Sequence, residues 1–235
     1  MRCDDLDFFH DSEARVAEAF AADRVHLEAE GYEVRLELSQ PGFIRAVVSR
    51  GGQATRVDWA HDSAWRFMPL VADPLGGWLL HPVDLALNKL LALAGRDEPR
   101  DFVDILYAHR TILPLGGLVW AAAGKDPGLS PRSLLELLRR RRPGQPAEYR
   151  RLQLAVPFDL EEAHAMWRRA LDDAERFVRA RPATELGCLY LMADTGAPLL
   201  PDAERPLDAQ GIVTHYGAPG GVLPKLTEVR LATDA

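Results

Sequence analysis

The chain has 235 residues and a net charge of −7, a length that suits one substantial core or two modest ones. Its two cysteines, Cys3 and Cys188, exclude a disulfide framework and a cysteine-based zinc site and favour a reducing compartment. No segment is apolar for long enough to span a bilayer and no signal peptide is recognisable, so we expect a cytoplasmic protein with no membrane partner.

The first part of the chain predicts a strand, a helix and three further strands. Residues 2–9 predict a short strand, in which Leu6 and Phe8 alternate with Asp5 and Asp7. Ser12 precedes apolar residues at helical spacing and predicts a helix over 12–30 with Ser12 as its N-cap. Segments 32–39, 43–50 and 54–60 are alternating or β-branched and are separated by turn residues. This order predicts a three-stranded meander after a helix.

The remaining chain is mostly helical by its periodicity. Apolar residues at helical spacing predict helices over 82–94, 97–111 and 159–180, the last opened by Asp159. Residues 186–192 and 211–216 predict a pair of hairpin strands. Helix-breaking residues cluster at 113–117, where we place the main boundary. We therefore expect an α+β fold with three parts: a mixed sheet with flanking helices over 1–112, a helical region over 113–183, and a β-hairpin with an irregular tail over 184–235.

Three aspartates form a candidate metal site. Asp5 and Asp7 lie two apart on a predicted strand, so they share a face and repel each other without a cation. Mg²⁺ prefers a few carboxylates completed by water and phosphates, which fits a phosphoryl-transfer site. Asp58 lies within an apolar strand, where an aspartate must be paired or bind metal. The alternatives are an acidic loop for the pair, and a salt bridge from Asp58 to Arg56 or Arg66.

A second charged group lies at a predicted junction between two helices. Lys89 interrupts a largely apolar helix, and Arg96, Arg100, Asp101 and Asp104 follow within fifteen residues of it. One interpretation is a structural salt-bridge cluster at the junction. The other is a functional one, in which Lys89 neutralises a triphosphate and Asp101 positions or deprotonates the acceptor.

The chain is acidic overall but carries a local basic run at residues 139–142. Cations suit the C-terminus of a helix, and Pro143 and Gly144 end the predicted helix there. Contact with an RNA backbone is the alternative, because four adjacent arginines exceed what capping requires.

Four of these segments, in this order, resemble the AbiEii/AbiGii-type nucleotidyltransferases. These are toxin-like members of the polymerase-β superfamily, known from type IV toxin–antitoxin and phage-defence systems. The matching segments are 2–9, 56–58, 88–93 and 96–105, and the resemblance extends from residue 2 to residue 110. It implies a nucleotidyltransferase-like catalytic domain over 1–112.

The resemblance also implies roles for individual residues. It makes Asp5, Asp7 and Asp58 ligands of Mg²⁺, Lys89, Arg96 and Arg100 contacts of a nucleoside triphosphate (NTP), and Asp58, Lys89 and Asp101 catalytic. The implied reaction transfers a nucleoside monophosphate from the NTP to a hydroxyl of an RNA, such as a tRNA, or of a protein. The implied protein partner is a cognate antitoxin.

One element of the family pattern is not found. Family members have a Gly-Gly-Ser/Thr segment about ten residues before the paired aspartates, where backbone N–H groups and a helix N-terminus hold phosphates. Here Asp5 lies only four residues after Met1. We expect the true start to lie upstream, which makes domain 1–112 incomplete at its N-terminus. The alternative is a truncated, non-catalytic relative that acts as a partner-binding module.

Overall fold

A computed structural model describes residues 5–74, 77–141, 144–152, 154 and 157–221, with Asp5 described by its backbone alone. The chain divides into two compact units, Met1–Ala64 and Trp65–Ala235. The predicted α+β class is confirmed, because a four-stranded mixed sheet in the first unit is followed by helices and short strands in the second.

The first unit is a sheet with one helix. Its elements are β1 (Asp5–His10), α1 (Glu13–Ala29), β2 (Glu33–Gln40), β3 (Phe43–Arg50) and β4 (Gln53–His61). The strands lie in the order β1-β4-β3-β2, with β1 parallel to β4 and the other pairs antiparallel. The predicted meander of β2, β3 and β4 is confirmed, and β1 joins it beside β4.

The core of this unit lies between α1 and one face of the sheet. Six residues are buried there: Val16, Ile44, Ala46, Val48, Val57 and Trp59. The strand members alternate with residues of the opposite face, as the period of two requires. Ser12 caps α1 as predicted, since its side chain accepts a hydrogen bond from the backbone N–H of Arg15 at 3.3 Å.

A two-residue turn fixes the register of β3 against β4. Arg50 pairs with Gln53, so only Gly51 and Gly52 lie between the two strands. Both glycines have positive φ, 62° and 80°, which is the requirement of the tight type I′ hairpin turn. The register of all the cross-strand pairs along β3 and β4 follows from this turn.

The second unit contains six helices and six short strands among the described residues. They are β5 (Trp65–Arg66), β6 (Val71–Ala72), β7 (Trp78–Leu79), α2 (Pro82–Gly95), α3 (Pro99–Thr111), α4 (Leu115–Lys125), α5 (Pro131–Arg140), α6 (Pro146–Arg151), α7 (Leu160–Ala180), β8 (Leu189–Met192), β9 (Ile212–His215) and β10 (Ala218–Pro219). The predicted pairing of the two late strands is confirmed, because β8 and β9 are antiparallel partners.

The segment chosen from the sequence as a boundary lies inside a shared core. Leu113, Leu115 and Leu118 are at most 1% exposed, and one cluster of buried residues joins α2, α3, α4, α5, α7 and β8. The glycines of this segment serve close packing: a Cβ added at Gly116 would lie 3.0 Å from the side chain of Phe177 on α7. The structure thus divides the chain after Ala64, and not at residue 113.

The helices of the described residues differ from membrane spans in length or in hydropathy, with one bent pair as the exception. Within the described part of the chain, no single helix is both long and apolar enough to cross a membrane. Only α3 and α4 taken together meet that criterion, across a bend of 113°.

Candidate functional site

Asp7 and Asp58 are neighbours on adjacent strands of the first unit. Strands β1 and β4 are parallel, and Asp7 pairs in register with Asp58 while Asp5 pairs with Arg56. Adjacent strands lie about 4.8 Å apart, and residues in register direct their side chains to the same face. The two carboxylates therefore leave the sheet side by side, on the face opposite the α1 core. Asp7 is exposed, whereas Asp58 is only 8% exposed.

Asp58 is held by an arginine that the sequence analysis did not single out. Arg45 lies directly opposite Asp58 across the β3–β4 pair. Its Nε donates to Oδ1 of Asp58 at 2.8 Å and its Nη2 donates to Oδ2 at 2.6 Å. A salt bridge to Asp58 was expected from Arg56 or Arg66, and the structure shows one from Arg45. The guanidinium also lies over the ring of Phe43, 5.3 Å from its centroid.

The carboxylates on this face are of the donor type that Mg²⁺ prefers. Mg²⁺ is usually held by one or two carboxylates together with water and substrate phosphates. Among residues whose side chains are described, no group of three or more His, Cys, Asp or Glu is placed to hold a metal. The side chain of Asp5, the third predicted ligand, lies outside the described set. The described side chains thus include two carboxylates on this face, Asp7 and Asp58, and Arg45 is paired with Asp58.

The predicted charged junction of the second unit forms a single ion-pair network. The Nζ of Lys89 on α2 lies 3.4 Å from Oδ1 of Asp101 and 3.1 Å from Oδ2 of Asp104, both on α3. The Nε of Arg96 donates to Oδ2 of Asp101 at 2.7 Å, and this hydrogen bond raises the pKa of Arg96 above its usual value. Arg100 is exposed in the first turn of α3. The network joins the end of α2 to the start of α3.

Asp101 lies at the centre of this network and is nearly inaccessible. Its side chain is 1% exposed, and each of its two oxygens faces a cation. A buried carboxylate in this state is stabilised by its partners and, in turn, fixes them. The side chain of Lys89 remains 32% exposed. Asp101 therefore positions Lys89 and Arg96 at the junction.

Asp84 is a buried charge that the sequence analysis missed. It is fully buried in the first turn of α2, and its two oxygens accept the backbone N–H groups of Phe67 and Met68 at 2.8 and 2.9 Å. Nε2 of His215 lies 2.6 Å from the carbonyl oxygen of Phe67. These bonds anchor the helix that carries Lys89. An acidic residue in a first helical turn was the only sequence signal, and it is a common one.

The basic run at 139–142 is engaged within the second unit as far as it is described. Arg139 lies 2.7 Å from Glu175 of α7, and Arg141 donates to the backbone carbonyl of Ala94 near the end of α2. Arg142 lies outside the described residues. These contacts match the helix-end interpretation for Arg139 and Arg141, and the RNA contact stays a prediction.

The predicted site residues belong to both units. Asp5, Asp7 and Asp58 lie in the first unit, and Lys89, Arg96, Arg100 and Asp101 lie in the second. Convergence of the two groups on one nucleotide stays a prediction. No family model, no curated protein and no solved structure matches the chain.

Proposed function

We propose that this chain is a Mg²⁺-dependent nucleotidyltransferase of the toxin–antitoxin type. It would transfer a nucleoside monophosphate from an NTP to a hydroxyl of an RNA, such as a tRNA, or of a protein, in the cytoplasm and under control of a cognate antitoxin. The observation that carries the proposal is the in-register placement of Asp7 and Asp58 on adjacent strands. Two carboxylates on one sheet face, away from the core, suit a cation bound to phosphates.

The reaction needs little covalent chemistry from the protein. The acceptor hydroxyl gives its proton to solvent water, its oxygen bonds to the α-phosphorus, and the bond from that phosphorus to the pyrophosphate breaks, so that pyrophosphate leaves. Mg²⁺, when bound, supplies neutralisation of the phosphate charge and alignment of the attacking and leaving oxygens. Asp5, Asp7 and Asp58 are the residues that would hold it. Their part is placement, since the strands fix Asp7 and Asp58 before any ligand binds.

The ion-pair network of the second unit would bind the triphosphate. Lys89 and Arg96 bring positive charge to phosphate oxygens, and Arg100 is exposed beside them. Asp101 serves this role as a positioning residue, because both of its oxygens are engaged by cations and the side chain is buried. A general base must reach the hydroxyl that is to be modified. The burial and the two ion pairs of Asp101 do not favour that role for its carboxylate.

The second candidate function is a non-catalytic partner-binding module. The observation that favours it is that the charges at both places are paired within the chain, Asp58 by Arg45 and Asp101 by Lys89 and Arg96. A buried charge must be neutralised, and this structural requirement alone would explain why these charged residues are present. An assay for nucleotide transfer separates the two functions.

The test uses the full chain with each of the four NTPs labelled at the α-phosphate, Mg²⁺, and tRNA or protein acceptors. We expect label on one acceptor class, lost on chelation. Asp7→Asn should reduce the rate by on the order of a hundredfold or more, because it removes a ligand charge at the site of developing phosphate charge. Asp7 is exposed, so folding should persist.

Asp11→Asn is the matched control, since Asp11 is an exposed aspartate just beyond β1 that pairs with Arg15. Its transfer rate should equal that of the unmodified chain. Transfer that is unchanged by Asp7→Asn would contradict the assigned site. A folded chain that transfers label from no NTP to any acceptor would favour the binding module.

A further inference from the structure

The pairing of β1 with β4 brings two aspartates together on one face of the sheet. Asp7 and Asp58 lie in register on adjacent strands, about 4.8 Å apart at the backbone. Like charges so placed on one sheet face are destabilising. Asp58 has little access to water, which would otherwise weaken the repulsion. Because Asp58 is buried, its charge requires a compensating positive charge beside it.

Arg45 supplies that charge from the strand on the other side of Asp58. Its guanidinium uses two parallel N–H groups to engage both oxygens of the carboxylate, the strongest geometry available to an arginine. The ring of Phe43, two residues away on the same strand, lies beneath the guanidinium. The side chain of Arg45 is 33% exposed and that of Asp58 only 11%. Arg45 thus already binds both oxygens of the carboxylate that a metal ion would use.

We propose that Arg45 is the resident counter-ion of Asp58 and competes with a divalent cation for its carboxylate, which holds the candidate metal site in a low-affinity state. This inference rests on the proposed function, because it assumes that Asp58 is a metal ligand. It assigns Arg45 a regulatory role at that site.

The competition has two physical sources. A cation bound to Asp58 must share the carboxylate oxygens with the two charge-assisted hydrogen bonds that Arg45 donates to them, which weakens its own attraction to them. The guanidinium also lies near the added positive charge and is repelled by it. Removing the charge of Arg45 eliminates both costs, so the cation should bind more tightly to the variant than to the unmodified chain.

The experiment measures Mn²⁺ binding to the metal-free full chain by isothermal titration calorimetry, with MnCl₂ as the only added ligand. We expect Arg45→Met to lower the Kd for Mn²⁺ by on the order of tenfold, as the loss of a neighbouring positive charge predicts. Arg35→Met is the matched control, because Arg35 is an exposed arginine on β2 that pairs with Glu37. Its Kd should equal that of the unmodified chain.

Thermal unfolding gives a second readout that does not depend on activity. Arg45→Met leaves the carboxylate of Asp58 without this partner, so the metal-free variant should melt at a lower temperature. Mn²⁺ should raise its melting temperature by more than it raises that of the unmodified chain. Arg45→Lys keeps the charge and loses the two-pronged geometry. The Kd of Arg45→Lys for Mn²⁺ and its melting temperature should lie between those of the unmodified chain and those of Arg45→Met. This variant provides the test if Arg45→Met does not fold.

The outcomes separate this inference from the function on which it rests. Tighter Mn²⁺ binding by the Arg45 variants, abolished when Asp58→Asn is added, supports the inference. Equal or weaker binding by those variants, with Mn²⁺ still bound by the unmodified chain through Asp58, overturns the role of Arg45 and leaves the metal site standing. Mn²⁺ binding that is absent, or unaffected by Asp58→Asn, overturns the metal site and the inference together.

Discussion

At the scale of single residues, the ion-pair network shows how one buried charge is shared between two cations. Asp101 faces Lys89 through one oxygen and Arg96 through the other. Loss of Lys89 therefore leaves Arg96 in place at 2.7 Å. We expect Lys89→Ala to lower the free energy of unfolding by about 1–3 kcal/mol, the usual loss for a hydrogen bond to a charged group. Urea denaturation of the full chain measures it.

The double variant Lys89→Ala/Arg96→Ala removes both cations from Asp101. It should lower the free energy of unfolding by about 3–5 kcal/mol, as expected when a buried charge is left uncompensated. A single variant as damaging as the double one would mean that Lys89 alone neutralises Asp101. If Lys89→Ala abolished nucleotide transfer and left the free energy of unfolding unchanged, the role of Lys89 would be phosphate binding alone.

Asp84 provides the second prediction at this scale. Asp84→Ala leaves two buried backbone N–H groups, those of Phe67 and Met68, without their acceptor. An unsatisfied buried donor costs about 1–3 kcal/mol, so the free energy of unfolding should fall by roughly 2–5 kcal/mol. Chemical denaturation again measures it.

Asp97→Ala is the control for Asp84→Ala. Asp97 pairs with Arg141, but its side chain is 66% exposed. An exposed pair of this kind contributes less than about 1 kcal/mol. If Asp84→Ala and Asp97→Ala lowered the free energy of unfolding equally, the buried hydrogen bonds of Asp84 would contribute nothing to stability.

At the scale of elements, two helices have a backbone N–H group of their first turn bound by a histidine ring. Nδ1 of His81 accepts the backbone N–H of Val83 at 3.2 Å at the start of α2. Nδ1 of His109 accepts that of Leu115 at 3.0 Å at the start of α4. Burial lowers the pKa of both histidines below the usual value, because it disfavours the charged ring. Each cap requires the neutral form.

The sign of the resulting pH dependence follows from the lowered pKa. As pH falls through the unfolded-state pKa of about 6.5, the unfolded chain binds protons before the folded chain does. The stability from both caps is thus complete above that pH and declines below it. We expect the free energy of unfolding to fall between neutral pH and pH 5.5.

His81→Asn tests this origin, because asparagine is a good N-cap that does not titrate in this range. The variant should retain stability at neutral pH and show a shallower decline on acidification. His26→Asn, on α1, is the control and should follow the unmodified chain. An equal slope in all three proteins would assign the pH dependence to other groups.

Sequence patterns predicted the elements well and their partners poorly. The alternation in 43–50 and the helical spacing in 82–94 are local, so β3 and α2 were found within a residue or two. The ion pair of Arg45 with Asp58 depends on register across a hairpin. The two-residue glycine turn contained that information, since it sets which residues lie opposite each other.

Two features could not be derived from local pattern. The partners of Asp84 lie sixteen and seventeen residues away, on backbone groups that carry no sequence signal. The glycines at 116 and 117 predicted a boundary because glycine disfavours helices, yet here they allow α4 to approach its neighbours closely. Packing decided against propensity at this position.

At the scale of the whole molecule, the two units differ greatly in the size of their cores. The first unit buries six residues in its described core, whereas the second buries a cluster that extends over six helices. Small cores give marginal stability. We expect residues 65–235, expressed alone, to keep helical circular dichroism and to unfold cooperatively. Residues 1–64 alone should be largely unfolded at 37 °C or only marginally stable.

Comparison with the full chain provides the control for this prediction. The helical signal of the 65–235 fragment should match the full-chain signal after the contribution of α1 is removed. A fragment that aggregates or lacks cooperative unfolding would show that the second unit requires the first. A stable, cooperatively folded 1–64 fragment would contradict the argument from core size.

The glycine turn between β3 and β4 has a consequence for how this chain and its relatives can diverge. It is already the shortest connection that hairpins commonly use, so it has no residue to lose. Deletion of one residue between Arg45 and Asp58, which are thirteen positions apart, would turn one of them to the other face of the sheet. Substitutions at exposed positions leave that geometry intact. Homologues that keep both charges should therefore keep the two glycines and the number of intervening residues, and should vary mainly at the exposed intervening positions.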